Sequence, residues 1–309
     1  MSRSILVTGA TGKQGGAVVQ ALVKRYSSKF TILAVTRNAQ SPSAQRLAKT
    51  SSVKVVQGDL DNTFALFQAA EKAVSGGIWG VFSVQAAVGG GATSETELRQ
   101  GKGLIDEAIK HNVRQFVYSS VDRGGNDQSW GKATNIPHFQ VKNQIEKYLR
   151  DQTANGKSSM NWTILRPVIF FDNIAPGFEA KVFMTSFRDV MKDKPLQWIA
   201  TSDIGIFAAE VFNNPDHEQY KKKAIGIAGE ELTFQDMNIA FKQVTGHGIG
   251  TTFGFLGKAL KAGVKEVGTM LDWFKAEGYN ADMALARSIH PGVKGVREWL
   301  KEDSAFTRH

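Results

Sequence analysis

Three glycines near the amino terminus have the spacing of a phosphate-binding turn. Gly9, Gly12 and Gly15, in "ILVTGATGKQGG", follow an apolar run and open a segment with helical character. In such a turn the first glycine permits the bend, the second lets the backbone approach a pyrophosphate, and the third lets helix pack on strand. Free backbone N–H groups and the helix dipole then favour an anion by roughly 0.3–1 kcal/mol. The motif therefore predicts a dinucleotide site.

The residue after the apolar run at 30–36 indicates which dinucleotide would bind. Proteins selective for NAD place Asp or Glu at this position to accept hydrogen bonds from the ribose hydroxyls. The segment "AVTRNAQ" has Arg37 there instead, and Lys13 adds a second positive charge in the glycine-rich turn. Because a guanidinium group pairs with a 2′-phosphate and cannot act as an acceptor, the sequence favours NADP(H) over NAD(H). The alternative is that Arg37 is a solvated residue at a strand end.

A parallel sheet flanked by helices would hold these residues together. Short β-branched runs alternate with helical patterns through the first half of the chain, which is typical of βαβ units. Strands are predicted over 4–8, 30–36, 54–57, 80–84, 115–119 and 162–166. Right-handed crossovers then leave the carboxyl ends of the strands to form the ligand crevice. Asp59 and Leu60 follow the third strand, where they would border an adenine ring or form an ordinary turn.

The helix predicted from Glu95 to Lys110 has the clearest end signals. Ser94 is expected to cap its amino terminus, and Glu97 occupies the capping-box position. Asn112 suits the exit, because asparagine tolerates the left-handed conformation that often follows a helix.

Beyond the last predicted strand the alternating pattern gives way to aromatic-rich segments. Helices are predicted over 203–212 and 234–244. The second is expected to be capped by Thr233 with Asp236 three residues on, and to end at Gly246.

The length and the change of pattern together predict two domains. At 309 residues the chain exceeds the size at which single cores stop growing. The predicted fold class is α/β, with a Rossmann doubly wound parallel sheet over residues 1–166. A smaller carboxyl-terminal α/β lobe is predicted over residues 167–309, and a return of the chain to the sheet is left open.

Composition excludes several functional classes. The sequence has no cysteine, which rules out disulfides, thiolate zinc sites and a cysteine nucleophile, and we predict no metal site. No window approaches the roughly 18 uninterrupted apolar residues that a membrane span requires, and the first strand begins too early to leave room for a signal peptide. We therefore expect an intracellular protein without a membrane partner, in the cytoplasm or also in the nucleus.

The excess positive charge lies in the first half of the chain. The net charge is +9; residues 1–160 contain 20 Lys and Arg against 11 Asp and Glu, whereas residues 161–309 contain 18 of each class. A basic surface attracts nucleic acid, but equally a coenzyme with several phosphate charges. The lysines are scattered, and neither a DNA-reading helix nor an RNA-binding motif is recognised, so direct nucleic-acid binding is not expected.

The motifs resemble those of NmrA-like proteins, atypical members of the short-chain dehydrogenase/reductase superfamily. They occur in the family's order over nearly the whole chain and fade between Gly246 and Gly263: "LVTGATGKQGG", "VTRN", "VVQGDLDN", "ELRQGKG", "FVYSSVD", "HFQVKNQIEKYLR", "WTILRPVIFFDN", "SDIG" and "LTFQDM". The resemblance implies a Rossmann lobe that binds NADP(H) and a small carboxyl-terminal lobe. One branch of the family acts as redox sensors that bind regulatory partners according to coenzyme state.

The resemblance also implies the residues of the coenzyme site. They run from the phosphate loop, through the 2′-phosphate and adenine contacts and the exit of the fourth strand, to the nicotinamide end: Gly9, Ala10, Thr11, Gly12, Lys13, Gln14, Gly15, Arg37, Asp59, Leu60, Val84, Gln85, Ala86, Lys102, Lys142, Phe170, Phe171, Asp172 and Asn173. The residue types alone give only partial support for coenzyme contacts by Lys102 and Lys142, since a lysine on a helix is more often exposed to solvent.

The segment "PHFQVKNQIEKYL", residues 137–149, bears on whether chemistry occurs. Orthodox dehydrogenases of this superfamily have Tyr-x-x-x-Lys here, and the tyrosine passes a proton while a hydride moves. This chain has His138 and Lys142. His138 shares a helical face with Lys142, but packing or capping explains it adequately. Ser119 or Ser120 could polarise a carbonyl without replacing the phenol, so the orthodox proton relay is broken.

A second branch with this fold leaves catalysis open. Plant isoflavone reductases and their relatives also lack the tyrosine pair and use a lysine in a similar setting, and "FQVK" resembles their segment. Lys142 is therefore the candidate catalytic residue. Aromatic side chains would form either a pocket for a planar substrate or the ordinary core of the second lobe: Phe170, Phe171, Phe178, Trp198, Phe253 and Phe255.

Two functions follow from these expectations. The leading hypothesis is an NADP(H)-binding NmrA-type redox-state sensor that regulates a protein partner, with the glycine-rich segment 87–95 as a mobile element beside the nicotinamide. The alternative is an NADPH-dependent reductase of a small metabolite, with aromatic compounds among the candidates, that uses Lys142 for proton transfer.

Overall fold

The main sheet consists of the strands that the alternating pattern predicts and one strand from later in the chain. The computed structural model describes residues 2–86, 91–132 and 134–306. Its strands are β1 (Arg3–Val7), β2 (Phe30–Thr36), β3 (Val53–Gln57), β4 (Gly80–Ser83), β5 (Gln115–Ser119), β6 (Asn161–Pro167), β7 (Ile169–Phe170), β8 (Leu196–Ile199), β9 (Lys223–Ile227) and β10 (Glu230–Leu232). The main sheet has the order β3-β2-β1-β4-β5-β6-β9, and the pairs from β3 to β6 are parallel. The predicted Rossmann α/β fold is confirmed.

Burial explains why the central strands are nearly continuous apolar runs. Every residue of β4, β5 and β6 is buried, as are four of the five residues of β1. A parallel strand that is covered on both faces has no solvent side, so its sequence does not need to alternate. Ser83 and Ser119 are buried polar exceptions at the carboxyl ends of β4 and β5, which is the edge where a Rossmann sheet holds its ligand.

Helices connect these strands. They are α1 (Lys13–Tyr26), α2 (Pro42–Ala48), α3 (Thr63–Lys72), α4 (Ser94–Lys110), α5 (Asn126–Gly131), α6 (Pro137–Gln152), α7 (Phe178–Met191), α8 (Thr201–Asn213), α9 (Phe234–Thr245), α10 (Gly254–Gly263), α11 (Lys265–Ala276), α12 (Met283–Ile289) and α13 (Val296–Glu302). At Gly205 of α8, an added Cβ atom would lie 2.4 Å from the carbonyl oxygen of Ala17 in α1, so glycine permits this close approach. Within residues 2–86, 91–132 and 134–306, no helix combines the length and apolar character needed to cross a bilayer.

The chain divides into two units that interleave along the sequence. Unit 1 consists of Met1–Ser120, Val141–Arg166 and Ile204–Ile225, and unit 2 consists of Val121–Gln140, Pro167–Asp203 and Gly226–His309. This differs from two consecutive segments that meet at residue 166. The segment after β5 belongs to unit 2 because Val121, Ile136 and Phe139 are buried in the apolar core of that unit.

The amino terminus of α4 differs from the prediction by one residue. Thr93, not Ser94, is the N-cap: its backbone is extended, and its hydroxyl accepts a hydrogen bond from Thr96 N at 3.1 Å. Thr96 completes the capping box by accepting from Thr93 N at 2.8 Å. The expected capping-box role of Glu97 is therefore wrong, because the cap lies one residue earlier and leaves Glu97 to point into the protein, where it is 1% exposed. The predicted exit is confirmed, since Asn112 has a φ of 53°.

The capping of α9 is confirmed as predicted. The Thr233 hydroxyl accepts from Asp236 N at 3.1 Å, and the Asp236 carboxylate accepts from Thr233 N at 3.0 Å. Hydrogen bonds from the Thr233 side chain and backbone hold the pKa of Asp236 below its usual range. Gly246, with a φ of 80°, ends the helix in the left-handed conformation that glycine tolerates.

Replacing Thr233 with alanine is expected to lower the free energy of unfolding by about 0.5–2 kcal/mol, because the first turn of α9 loses its cap. The measurement is urea unfolding at pH 7. Thr269→Ala is the control, since the Thr269 hydroxyl lies within a helix and, among the described residues, donates only to the carbonyl of Lys265.

The same cap is expected to make α9 sensitive to acid. A carboxyl with a lowered folded-state pKa stabilises the fold above its unfolded pKa of about 4, and loses this contribution as the pH falls through the folded value. The difference between the parent chain and the Thr233→Ala variant is therefore expected to narrow as the pH falls below 4. A difference that stays constant with pH would contradict the role of the Asp236 carboxylate.

Unit 2 contains a small sheet and an aromatic core that the sequence did not predict in detail. β10 pairs antiparallel with β8, and β7 pairs parallel with β8. Phe171 is stacked on Trp198 and on Trp299, with ring centroids 5.8 and 5.5 Å apart. These rings are fully buried or nearly so, which makes them the centre of this core.

Candidate functional site

The glycine-rich turn between β1 and α1 has the geometry that its spacing predicts. Gly9 has a φ of 59°, and Gly12 N donates to Gly9 O at 2.8 Å to close the turn. A Cβ atom on Gly15 would lie 2.3 Å from Gly9 O and 2.4 Å from Thr8 O, so α1 approaches the end of β1 as only glycine allows. The N-cap, Gly12, supplies no side-chain hydrogen bond. Backbone N–H groups of the first turn are therefore left to bind an anion.

A cavity of about 370 Å³ opens in unit 1 at the carboxyl ends of β1 to β4. It is lined by Gly9, Thr11, Gly12, Val35, Thr36, Arg37, Gly58, Asp59, Leu60, Asp61, Val84, Ala86, Gly91, Ala92, Thr96 and Gln100. The exits of four strands thus meet at one cavity, including those of β1 and β4, between which the strand order reverses. Such a position is where open parallel sheets bind their ligands.

Arg37 and Asp61 set the charge at one end of this cavity. Asp61 accepts hydrogen bonds from the Gln100 amide at 2.7 Å and from the Arg99 guanidinium at 2.8 Å. These two hydrogen bonds, with that from Gln100 first, hold the pKa of Asp61 below its usual range, and the charge of Arg37 adds to the effect. Arg37 itself forms neither a hydrogen bond nor an ion pair with the described residues. Its guanidinium group is therefore available to a ligand.

Asp59 combines the two roles that the sequence left open. Its side chain accepts a hydrogen bond from Asp61 N at 3.0 Å and so caps the short 3₁₀ helix Leu60–Asn62. Asp59 and Leu60 also line the cavity. Asp59 therefore caps the 3₁₀ helix and lines the cavity at the same time.

Lys142 of α6 lies at the carboxyl end of β5. Its Nζ is 3.0 Å from the Glu97 carboxylate and donates to Ser119 O at 3.4 Å. The same ammonium group is 5.8 Å from the centroid of the Tyr118 ring. Its side chain is only 9% exposed, so Lys142 is an interior cation rather than a solvated helical lysine.

Ser119 links the lysine to the glycine-rich turn. The Ser119 hydroxyl donates to Gln14 Oε1 at 2.5 Å, while the Ser119 carbonyl accepts from Lys142. Gln14 belongs to the first turn of α1. A continuous series of polar contacts within unit 1 therefore joins the predicted phosphate loop to the predicted catalytic lysine.

The family model of the NmrA-like family matches residues 1–300. The chain belongs to the NmrA-like family. An NmrA-like family domain-containing protein of Dictyostelium discoideum is 25% identical over 98% of both chains. An NmrA-like family domain-containing oxidoreductase of Aspergillus campestris, cpsB, is 30% identical over 79% of this chain and 74% of its own.

Solved structures show the same NmrA-like fold. NmrA, described as a negative transcriptional regulator and crystallised with NADP, superposes with a TM-score of 0.69 at 16% identity, over 98% of this chain and 95% of its own. The triphenylmethane reductase of Citrobacter sp., crystallised with NADP(H), gives a TM-score of 0.71 at 18% identity, over 97% of this chain and 99% of its own. At these identities the comparison shows the fold alone.

The contacts described for His138 in this NmrA-like chain lie in unit 2. Its Nδ1 atom lies 2.5 Å from the Glu266 carboxylate, and its ring packs edge-on against Phe139 at 4.7 Å. These contacts belong to unit 2, whereas those of Lys142 belong to unit 1. The structure thus gives His138 the packing role that the sequence offered as the simpler explanation.

Other predicted coenzyme residues do not line the cavity. Ala10 is buried, and Lys13 is the first residue of α1. The buried Gln85 donates to the Ser83 hydroxyl at 2.9 Å. The Lys102 ammonium lies 5.0 Å from the centroid of the Tyr148 ring, a contact between α4 and α6. Coenzyme binding by these residues stays a prediction.

The segment Phe170–Asn173 has clear structural contacts in unit 2. Phe171 belongs to the aromatic core, and the Asp172 carboxylate accepts from the Thr201 backbone N–H at 2.8 Å and from the Thr201 hydroxyl at 2.7 Å. Among the aromatic residues considered for a planar-substrate pocket, Phe171 and Trp198 are core, Phe170 is half-buried, and three are exposed: Phe178, Phe253 and Phe255. A nicotinamide contact by this segment remains a prediction.

Several cavity residues were missed from the sequence. Thr96 and Gln100 of α4 both line the cavity. They are four residues apart, a spacing that places two side chains on the same face of a helix, and this was the available sequence signal. Of the predicted mobile segment, residues 87–90 lie outside the described residues, and Gly91 and Ala92 line the cavity. The pairing of Glu97 with Lys142 had no sequence signal, since 45 residues separate the two positions.

Proposed function

We propose that this NmrA-like protein binds NADP(H) in the cavity of unit 1. The observation that carries the proposal is the Arg37 guanidinium group, which is unpaired among the described residues and lines the same cavity as the phosphate-binding turn. A guanidinium fork recognises a phosphate group through two parallel hydrogen bonds. Support comes from NmrA and the triphenylmethane reductase, which were crystallised with NADP and NADP(H).

The residues present fit such a coenzyme. Backbone N–H groups after Gly9 and Gly12 would take the pyrophosphate, Arg37 the 2′-phosphate, and Asp59 with Leu60 the adenine border. The negative charge of Asp61 does not oppose the 2′-phosphate strongly, because Asp61 is already paired with Arg99. When bound, NADPH supplies a hydride, and the protein supplies orientation and electrostatics.

We infer further that the activity is NADPH-dependent reduction of a small molecule. Fungal relatives that are 27–30% identical over about four fifths of this chain are named oxidoreductases. The interior placement of Lys142, next to the end of β5 and linked to Gln14 through Ser119, supports a role at the reacting end of the coenzyme. We therefore place the reductase before the redox-state sensor, whereas the sequence alone favoured the sensor.

A redox-state sensor with a regulatory protein partner is the second candidate. It is favoured by the superposition with NmrA, a negative transcriptional regulator, over 98% of this chain. The position of His138 also favours it, because His138 is engaged with Glu266 and does not replace the tyrosine of the orthodox enzymes. Such a sensor requires a surface that contacts its partner differently in the oxidised and reduced coenzyme states.

Two measurements test the proposed function. Calorimetric titration with NADPH and with NADH is expected to show a clear preference for NADPH, and failure to bind either coenzyme would remove the proposal. NADPH oxidation is then followed by absorbance against a panel of quinones, enones and aldehydes. Turnover with one of them supports the reductase, whereas tight NADPH binding without turnover on any of them supports the sensor.

A further inference from the structure

Glu97 is a buried carboxylate that depends on Lys142 for its charge balance. It lies in the first turn of α4 and is 1% exposed. Neither of its carboxylate oxygens accepts a hydrogen bond from the described residues, and the Lys142 ammonium, 3.0 Å away, is the cation beside it. A buried carboxylate in this situation is costly unless a cation stays in place.

Stability alone does not explain such a pair. Replacing a buried ion pair with apolar residues of similar volume is often neutral or stabilising, because the desolvation of two charges offsets their attraction. This pair lies at the carboxyl end of β5, where Lys142 also contacts the Ser119 carbonyl and Ser119 contacts Gln14. These contacts connect the pair to the first turn of α1, which follows the glycine-rich turn.

We propose that Glu97 is a positioning residue that fixes the Lys142 ammonium ion at the end of β5, so that Lys142 acts as a stationary cation and hydrogen-bond donor rather than as a proton donor. The proposal rests on the proposed NADP(H)-dependent reductase. If Lys142 passed its proton to a substrate, Glu97 would remain in the interior without a counter-charge, at a large cost. A cation that is already in place, by contrast, stabilises developing negative charge without reorganisation.

A stationary cation suits one class of hydride acceptor. Hydride addition to a simple aldehyde or ketone gives a strongly basic alkoxide, and proton transfer from a positioned acid in the transition state accelerates this step by about 10²- to 10⁴-fold. Transfer of a hydride to an electron-poor conjugated acceptor, such as a quinone, oxidises NADPH to NADP⁺ and leaves a delocalised anion. Lys142 stabilises that anion by its charge, and the anion then takes its proton from water. The geometry therefore favours conjugated acceptors over simple carbonyl compounds.

Matched variants separate a positioning role from a structural one. Glu97→Gln leaves Lys142 without its partner and is expected to lower the thermal midpoint. The double variant Glu97→Met with Lys142→Met removes both charges at similar side-chain length, and is expected to recover most of the midpoint. At this recovered stability, NADPH affinity measured by calorimetry is expected to fall about tenfold, because a charge-assisted contact is gone. Asp151→Asn is the control, because it removes an exposed carboxylate from α6, the helix of Lys142. This variant should bind NADPH as the parent chain does.

The outcomes distinguish the two proposals. Parental NADPH affinity in a stable double variant would show that the pair is only structural and would overturn the positioning role. Absence of NADPH binding by the parent chain would remove the proposed function, and this inference with it. If the parent chain binds NADPH but turns over no acceptor, the reductase fails, while NADPH affinity still decides the role of Glu97. Glu97→Gln keeps Lys142 but removes its partner, and parental NADPH affinity in that variant would overturn the positioning role.

The proton role has its own test. Stopped-flow oxidation of bound NADPH by a quinone is expected to proceed at the same rate in H₂O and D₂O, since no proton moves with the hydride. An aldehyde should react far more slowly. Fast aldehyde reduction with a normal solvent isotope effect, lost in Lys142→Met, would show that Lys142 donates a proton and would overturn its role as a stationary cation.

Discussion

Replacing Arg37 with alanine is expected to weaken NADPH binding by about 10- to 150-fold, the range that corresponds to a charged hydrogen-bonding contact worth about 1.5–3 kcal/mol. Arg37 lines the cavity and forms no ion pair with the described residues, so its loss removes a ligand contact without breaking a protein contact. NADH lacks the 2′-phosphate, and its binding is expected to change little. Calorimetric titration of both coenzymes at one salt concentration measures the two effects.

Loss of one positive charge from the protein could by itself weaken NADPH binding, so a control variant must lose an arginine outside the cavity. Arg46 is an exposed arginine of α2 that does not line the cavity. Arg46→Ala removes the same charge and is expected to keep parental NADPH affinity, because an exposed charge that makes no contact in the cavity is weakened by salt screening. Equal losses in the two variants, or equal losses of NADPH and NADH binding in Arg37→Ala, would contradict a specific contact with the 2′-phosphate.

The local parts of the coenzyme site were predictable because they depend on short-range backbone chemistry. The tight turn at Gly9 and the close helix approach at Gly15 follow from the absence of a Cβ atom, which is visible in the sequence itself. Six of the seven main-sheet strands, β1 to β6, were placed within one residue of their ends, because buried parallel strands are continuous apolar runs between polar segments. The seventh strand, β9, was not predicted.

The polar interior of unit 1 was not predictable in the same way. The N-cap of α4 is Thr93 rather than Ser94, because the Thr93 hydroxyl accepts the capping hydrogen bond. This difference of one residue takes Glu97 out of the capping-box position. Both residues are good N-caps, so propensity cannot choose between them. Which face of α4 meets α6 depends on packing between helices that are far apart in sequence, and a single chain carries no signal for the partnership of Glu97 with Lys142.

Unit 2 shows a different limit. Its strands β7, β8 and β10 are two to four residues long, too short for a periodic pattern to emerge. No helix was predicted where α10 and α11 form, and α10 begins in a glycine-rich stretch. Most helical stability in proteins comes from packing rather than from propensity, so the local sequence gives little signal there. The assignment of 121–140 to this unit likewise depends on a buried core to which Val121, Ile136 and Phe139 contribute.

The helix that carries Lys142 is held by a second buried ion pair, and breaking it is expected to have the largest effect on stability of the changes considered. The Arg166 guanidinium of β6 donates to both carboxylate oxygens of Glu146, from Nε at 3.0 Å and from Nη2 at 2.7 Å, and both side chains are 0% exposed. Glu146→Ala leaves an arginine charge in the interior. A loss of about 3–5 kcal/mol in the free energy of unfolding is expected, measured by denaturant titration.

The matched controls show whether charge or volume is responsible. Asp151→Ala removes an exposed carboxylate from the same helix and is expected to change stability by less than about 1 kcal/mol. Glu146→Leu combined with Arg166→Met removes both buried charges, and should recover much of the loss in Glu146→Ala because no charge is left alone. If this double variant were as unstable as Glu146→Ala, the cost would come from packing rather than from a buried arginine that has lost its carboxylate. Since Glu146 lies one helical turn after Lys142, such a result would also mean that shape, rather than the buried pair, keeps α6 and its lysine at the end of β5.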